Sequence, residues 1–366
     1  MSAVKVGHDE LARFIGDVLV AHGARAADAG IVADGLTWAN LRGGDGHGVS
    51  RLPHYVAIIK RGEIDPKAQA VRVHDAAATF MFDGGHGFGP VAVMAAAALA
   101  VERAKTLGVC FGLVRATTHT GAIGRYAQWI AERGCAALIV VAGVPMMAYH
   151  GARTASLGTS PIAIAVPSGQ GPIVLDMATS TISNGKILQA RAAGTALPAG
   201  TALTAAGEPT TDPNVAQILL PIGGPKGAGL GLMIEMLASV LAAAPIQARA
   251  LGPERRKRHT QNVALLAVDV EGFRSLGDFA RDADALAAAI KALPRQTGVD
   301  EIFLPGERGN RTEALRRKSG IPIPGKLWAE LEAIATADGV KMPAPISAPA
   351  RSAGEGDHAK RGGGGV

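Results

Sequence analysis

Apolar residues recur at helical spacing from the start of the chain. Leu11, Phe14, Ile15, Val18 and Leu19 share one face between His8 and the stop at His22-Gly23. Ile31, Val32, Leu36 and Trp38 mark a second helix over 26–40, and the residues before His8 read as strand or coil. A glycine-rich turn follows at 42–48. The pattern restarts as a helix over 49–61, with Arg51, His54 and Tyr55 in its first turns. From about Val71 the character changes to strands alternating with helices. Strands are expected at 79–83, 109–115, 137–142, 162–166, 173–176 and 263–270. Helices are expected at 90–107, from Ala122, and at 278–293. The stretch 187–210 predicts a helix and then a loop, 230–244 a long apolar helix, 302–304 a short β-like run, and 311–338 a return to helix. No internal repeat is present.

This order predicts an α/β protein. Both ends of the chain, 1–75 and 305–342, would form one helical domain around a central α/β domain at 76–304. From about Pro343 the chain is Pro, Ser, Ala and Gly, and 343–366 reads as a disordered tail. A length of 366 residues is enough to bury a sizeable core in two such domains.

Composition narrows the function. The net charge of +6 sits partly in the runs 255–258, 316–318 and 360–361. No aromatics are interleaved in these runs for stacking on bases, so nucleic acid is not an expected partner. The two cysteines, Cys110 and Cys135, form no CxxC or Cys/His cluster. They read as small buried hydrophobes in a reducing compartment, and no metal site is expected. The longest apolar run, 135–149, is too short to span a bilayer and contains Gly143 and Pro145. With no signal-peptide pattern, a cytoplasmic protein with no membrane partner is expected.

Candidate chemistry gathers at turns. After the run Val109, Phe111, Leu113 and Val114, the residues Thr117-Thr118-His119-Thr120-Gly121 lead into a helix. Thr118 or Thr120 is a candidate N-cap. His119 at that corner, beside free first-turn N–H groups, suits proton transfer next to an anionic ligand, although local spacing by itself favours a surface turn histidine. The loop Gly85-x-Gly87-x-Gly89 tempts a dinucleotide-binding reading, but its spacing is wrong and the next strand ends in Arg115, not an acid. A tight glycine turn with Pro90 at the first helical position fits better. Lys226, in Gly223-Gly224-Pro225-Lys226-Gly227, is either a phosphate contact or a loop lysine in water. His47 lies between Gly46 and Gly48, four residues before Arg51, the residue type that pairs bidentately with a carboxylate. Asp176 ends a buried strand, where α/β sheets place ligand contacts, and could instead be a helix cap.

Taken together these stretches resemble the malate/L-lactate dehydrogenase family that is unrelated to the Rossmann-type enzymes. The resemblance rests on NLRGGDGHGVSRLPHY (40–55), TTHTGAIGRY (117–126), GTSPIAIAVP (158–167), LDMATSTISNGK (175–186), GGPKGAGLGLMIE (223–235) and PGER (305–308). It covers about residues 8–340. It implies a homodimer, a non-Rossmann nicotinamide-binding fold on a mixed sheet, and an active site between that sheet and the helical domain. By motif matching, NAD or NADP would contact His119, Thr120, Gly121, Ala122, Ile123, Asp176, Met177, Ala178, Lys226, Pro305, Gly306, Glu307 and Arg308. His47, Arg51, Thr159, Asn184 and Gly185 would face the substrate.

Two departures stand out. Gly46 occupies a position where the family usually has serine, and Ser160 one where asparagine is common. The family's cyclic-imine reductase branch resembles a Ser-His-Asp relay, with the aspartate at the position of Lys186. Both relay partners of His47 are therefore missing. That shifts the proton-transfer role to His119, the role this histidine has in the hydroxyacid branch, with Lys186 adding positive charge near the substrate. The implied reaction interconverts a malate- or lactate-like 2-hydroxy acid and its 2-keto acid. A cyclic-imine or ketimine reductase and a catalytically inactive nucleotide-binding protein are the alternatives.

Overall fold

The structure is a computed structural model that describes residues 3–251 and 260–346. The basic runs 255–258 and 360–361, and residues 347–366 of the expected tail, lie outside the described residues.

The chain opens with β1 (Val4–Val6), α1 (His8–Ala21) and α2 (Ala26–Leu41), then α3 (Leu52–Lys60). Next come β2 (Val71–Asp75), β3 (Thr79–Asp83), α4 (Gly89–Leu107), β4 (Val109–Thr117), α5 (Gly124–Ala131) and β5 (Cys135–Gly143). Short strands β6 (Met147–Ala148) and β7 (Ala155–Leu157) precede β8 (Ile162–Val166), β9 (Ile173–Met177) and α6 (Asn184–Ala193). Three more short strands, β10 (Ala202–Leu203), β11 (Pro209–Thr210) and β12 (Ile218–Leu219), lead to α7 (Pro225–Glu235) and α8 (Ile246–Leu251). The described chain ends with β13 (Gln261–Asp269), α9 (Leu276–Lys291), α10 (Glu307–Ser319), β14 (Ile321–Ile323) and α11 (Gly325–Asp338).

The main sheet has the order β2-β3-β4-β13-β5-β8-β9. Only β3 and β4, joined through α4, run parallel; the other neighbours are antiparallel. This is a mixed sheet and not a doubly wound one. Side chains alternate across it, as a pleat requires. Cys110, Val114, Ile139, Val141, Val263 and Leu265 pack with α4 and α5 on one face. Leu113, Val140, Ala142 and Ala264 pack with Ile234, Ala238 and Ile246 on the other. The alanines of α4, among them Ala92, Ala96, Ala100 and Ala104, are buried against the sheet, where small side chains let helix and sheet approach. A separate core joins α1, α2 and α3 to Ile321, Ile323, Leu331 and Ala335, so the helical domain is built from both chain ends.

Several expectations are corrected. Residues 302–304 form no strand; the Leu304 N–H donates to the Glu307 carboxylate in a turn that opens α10. The stretch 311–338 is not one helix. Gly320 at φ +83° ends α10, and Ile321–Ile323 pairs antiparallel with β1. The apolar helix at 230–244 starts earlier, at Pro225, and passes into a π turn at Met236–Val240. The helix expected from 187 begins at Asn184, because Ser183 accepts the Lys186 N–H as its cap. Neither Thr118 nor Thr120 caps α5, which starts only at Gly124. Thr118 instead accepts from the Gly89 N–H at the start of α4. The first residues of the expected tail are paired: Pro345 bridges Val6, and the Ile346 N–H donates to the Lys5 carbonyl. Among the described residues no helix is long and apolar enough to cross a membrane.

Candidate active site

Two single 3-10 turns, Asp45–His47 and Val49–Arg51, run directly into α3. Although the chain is extended at Gly48 between the two turns, His47, Arg51 and Tyr55 share one edge: His47 and Tyr55 both meet His119, and the Arg51 charge acts on both. Gly48 at the joint has a steric reason, since a Cβ there would sit 2.2 Å from the Asn40 side chain. Asn40 accepts from the Val49 N–H at 2.7 Å and donates to Asp45 at 2.6 Å. Arg316 from α10 pairs with both oxygens of Asp45, at 2.6 and 3.0 Å. The turn is thus tied to both ends of the helical domain. Arg51 donates from Nε to the Gly46 carbonyl at 2.6 Å. The Arg51 side chain, on a half-buried residue, has no carboxylate partner among the described residues.

His119 sits opposite this edge, between anchored neighbours. The Thr118 hydroxyl donates to the Gly87 carbonyl at 2.8 Å. The Thr120 N–H and hydroxyl both donate to Gln261 Oε1, at 2.8 and 2.9 Å. Thr120 is therefore buried with its donors already used, and its N–H is not one of the free groups expected after His119. The Tyr55 hydroxyl lies 2.7 Å from His119 Nδ1. His47 stacks on His119 with centroids 5.7 Å apart and planes 6° from parallel. Burial, and then the Arg51 charge, hold the His47 imidazole down at about 4. Burial pushes the Tyr55 phenol upward, with Arg51 pulling the other way.

The His47 shift has a consequence for stability. An unfolded chain takes a proton at histidine's ordinary 6.5, while the fold refuses it until about 4. Stability is therefore complete above 6.5 and falls as pH drops toward 4. The loss from this group is on the order of 1–3 kcal/mol. His47→Asn should flatten the acid side of a Tm-against-pH curve; an unchanged acid slope would show that His47 is protonated freely in the fold.

The end of β9 forms the third wall. Asp176 accepts the first N–H of α5, from Gly124, at 2.8 Å, so it caps a helix distant in sequence. Its side chain reaches solvent on one side, but surrounding protein pushes the carboxyl upward, opposed by the Gly124 N–H and by Arg42. Arg42 lies 4.9 Å over Trp38 and donates to the Gly306 carbonyl at 3.0 Å. Gly306, at φ +80°, comes so close to β9 that a Cβ would meet the Val174 carbonyl at 2.8 Å. The Pro305–Arg308 turn is thereby held two residues from Asp176. Beyond Met177 and Ala178, Thr179 donates its N–H and hydroxyl to the Thr159 carbonyl at 2.9 and 3.0 Å. The Thr179 carbonyl accepts from Ile222, which docks the Gly223–Gly227 loop.

Lys226 is exposed in the first turn of α7. The N–H groups of Lys226 and Gly227 bond to Gly223 and Ile222, so the ammonium, not the opening amides, is available to a ligand. Asn184, Gly185 and Lys186 open α6 beside the His47 turn. A Cβ on Gly46 would lie 3.8 Å from the Gly185 Cα, an ordinary contact, so packing leaves room for a serine there. Lys186 is exposed. Ser160 is buried at φ +39°, a left-handed conformation that asparagine tolerates better.

The structure brings these sequence-derived residues together in three linked groups: His47, Arg51, Asn184 and Gly185; the corner at 119–123; and 176–178 with 305–308 and the loop of Lys226. Sequence reasoning assigned no role to Asn40, Arg42, Tyr55 or Gln261. Only Tyr55 carried a signal, its four-residue spacing from Arg51.

A family model described as malate/L-lactate dehydrogenase matches residues 6–332. The chain is 36% identical to an L-sulfolactate dehydrogenase of Methanocaldococcus jannaschii, over 90% of this chain and 96% of that one. It is 37% identical to a delta(1)-pyrroline-2-carboxylate/delta(1)-piperideine-2-carboxylate reductase of Pseudomonas putida, over 66% of this chain and 72% of that one. Among solved structures, malate dehydrogenase from Entamoeba histolytica superposes with a TM-score of 0.89 at 28% identity, covering 93% of this chain and 99% of that one.

Proposed function

The chain belongs to the malate/L-lactate dehydrogenase family, and from that premise we propose that it is an NAD(P)-dependent oxidoreductase interconverting a malate- or lactate-like 2-hydroxy acid and its 2-keto acid. The observation that carries this reading is the cluster in which His47 and Tyr55 both meet His119 while the Arg51 charge acts on both of them.

The residues present fit a nicotinamide dinucleotide. Gly121, at φ +73°, has no atom within 4 Å of where a Cβ would stand, so the corner's backbone is open to a ligand. Lys226 and Arg308 are exposed cations with no carboxylate partner among the described residues, whereas Lys291 is paired with Glu301 and Glu307, and Arg311 with Glu301. The groups that would hold the cofactor are the 119–123 corner, 176–178, Lys226 and the 305–308 turn. When bound, the nicotinamide supplies the hydride acceptor or donor.

The chain's own residues do the rest. Arg51 anchors the substrate carboxylate through its terminal nitrogens, with Nε fixed to Gly46. His119 takes the hydroxyl proton in oxidation and returns it in reduction. His47, kept neutral by its surroundings, serves as a hydrogen-bonding wall and not as a charge. Lys186 adds positive field from the α6 side. Thr159, Asn184 and Gly185 shape the pocket. A homodimer would cover the exposed apolar face of Met233, Met236, Leu237, Val240 and Leu241.

The similarity to an imine reductase favours a second reading, reduction of a cyclic imine. Gly46 and Lys186 argue against it, since neither can serve a Ser-His-Asp relay. Turnover of a panel of 2-keto acids and cyclic imines, each with NADH and NADPH, decides between them. Arg51→Lys keeps the charge but loses the fork, so KM for the keto acid should rise roughly tenfold or more with a smaller change in kcat. Unchanged KM would remove Arg51 from the substrate site.

A further inference from the structure

Tyr55 and His119 are 64 residues apart, and their side chains meet at 2.7 Å between the phenol oxygen and Nδ1. The two rings are edge-on, 5.9 Å apart. Tyr55 is 1% exposed and packs against Phe88. Phenylalanine would fill the same space without a polar atom to satisfy, so packing alone does not account for the hydroxyl.

We propose that Tyr55 is a positioning residue that holds neutral His119 with its hydrogen on Nδ1, leaving the Nε2 lone pair to exchange a proton with the substrate hydroxyl. The proposal rests on the reading of His119 as the acid/base. The 2.7 Å contact is compatible with either donor, and in this tautomer Nδ1–H donates to the Tyr55 oxygen. When Nε2 takes the substrate proton, the ring becomes a cation with two donors. The Nδ1–H bond to Tyr55 then strengthens as a charge-assisted bond without moving. Proton transfer needs no ring flip in either direction. The phenol does not itself take the proton, because burial disfavours its ionised form.

Titratable and charged groups that face this pair include three from neighbouring segments. His47 stacks on the imidazole from the Gly46 turn. Arg51 acts on Tyr55 from the same helical edge. Tyr126 of α5 is the third, and its hydroxyl donates to the Thr120 carbonyl. None of them replaces the bond at Nδ1. Removing the Tyr55 hydroxyl therefore removes a stabiliser of the imidazolium, and the histidine should release its proton more readily.

The test is Tyr55→Phe, together with 15N-histidine NMR of the full-length protein. In the wild type, neutral His119 should carry its hydrogen on Nδ1. In Tyr55→Phe it should shift to Nε2–H, the form that free histidine favours. The variant's kcat should fall at least roughly tenfold, as for loss of a partner that orients a catalytic histidine, with KM nearly unchanged. The acid limb of its oxidation profile should move to lower pH. A wild-type Nε2–H tautomer, or a variant with the same tautomer and the same limb, overturns the proposal. If Tyr55→Phe does not fold, the wild-type tautomer decides alone. Failure of the catalytic reading shows separately, as full turnover in His119→Asn.

Discussion

Replacing His119 by asparagine should lower kcat by roughly a hundredfold or more while leaving cofactor affinity near the wild-type value. Asparagine keeps a polar side chain at the corner but cannot take or give a proton. His47→Asn should behave differently, raising KM for the substrate with a smaller effect on kcat. His47 stacks on His119 but is held at about 4, so it is already neutral across the pH range in which such a dehydrogenase would be assayed. With a histidine base, oxidation fails where the imidazole is protonated, and that acid limb belongs to whichever histidine moves the proton. A limb well above pH 4 that disappears in His119→Asn supports the assignment. If it survives in His119→Asn and vanishes in His47→Asn, the roles are reversed.

How far the site could be read in advance depended on the range of its contacts. The edge that carries His47, Arg51 and Tyr55 is local, set by glycines and four-residue spacing, and it was visible as a pattern. So was the strand-to-helix corner at His119, because β4 and α5 each have enough residues to show their period. The partners across the site were not visible. Gln261 holds Thr120 from 141 residues away, and Arg42 reaches Gly306 across 264. The sheet of β11, β10, β12, β6 and β7 was missed for another reason: its strands are two or three residues long, too short for any alternation to register. Ile321–Ile323 reads as helix in isolation and becomes a strand only because β1, at the other end of the chain, offers it an edge. Thr118 reads as an N-cap of the helix after His119, but it caps no helix there, because its hydroxyl meets the Gly89 N–H, which is distant in sequence.

Gly89 is where this long-range packing bears most directly on chemistry. From the sequence it closes a glycine turn before Pro90, and any small residue would seem to serve. In the fold, a Cβ at Gly89 would stand 2.5 Å from the His119 carbonyl oxygen and 2.6 Å from that of Thr118. These are backbone atoms, and the Thr118 side chain ties the same corner to Gly87 and Gly89, so no flexible side chain can move aside. Gly89→Ala must therefore push the corner away from α4. The backbone conformation at Gly89 is not the obstacle, because its φ is not in the left-handed region. Overpacking of this kind costs about 1–3 kcal/mol. Displacing His119 by even ~1 Å can cost on the order of a hundredfold in rate. Gly89→Ala should thus lower both Tm and kcat, the latter by roughly ten- to a hundredfold, with KM less affected because Arg51 sits on a different element. Gly30→Ala provides the control. Gly30 lies inside α2 with nothing within 4 Å of a Cβ, so alanine there should leave kcat unchanged and hold or raise Tm. If Gly89→Ala matches Gly30→Ala in both measurements, α4 does not hold His119 in place, and the corner's position must come from Gln261 and Tyr55 alone.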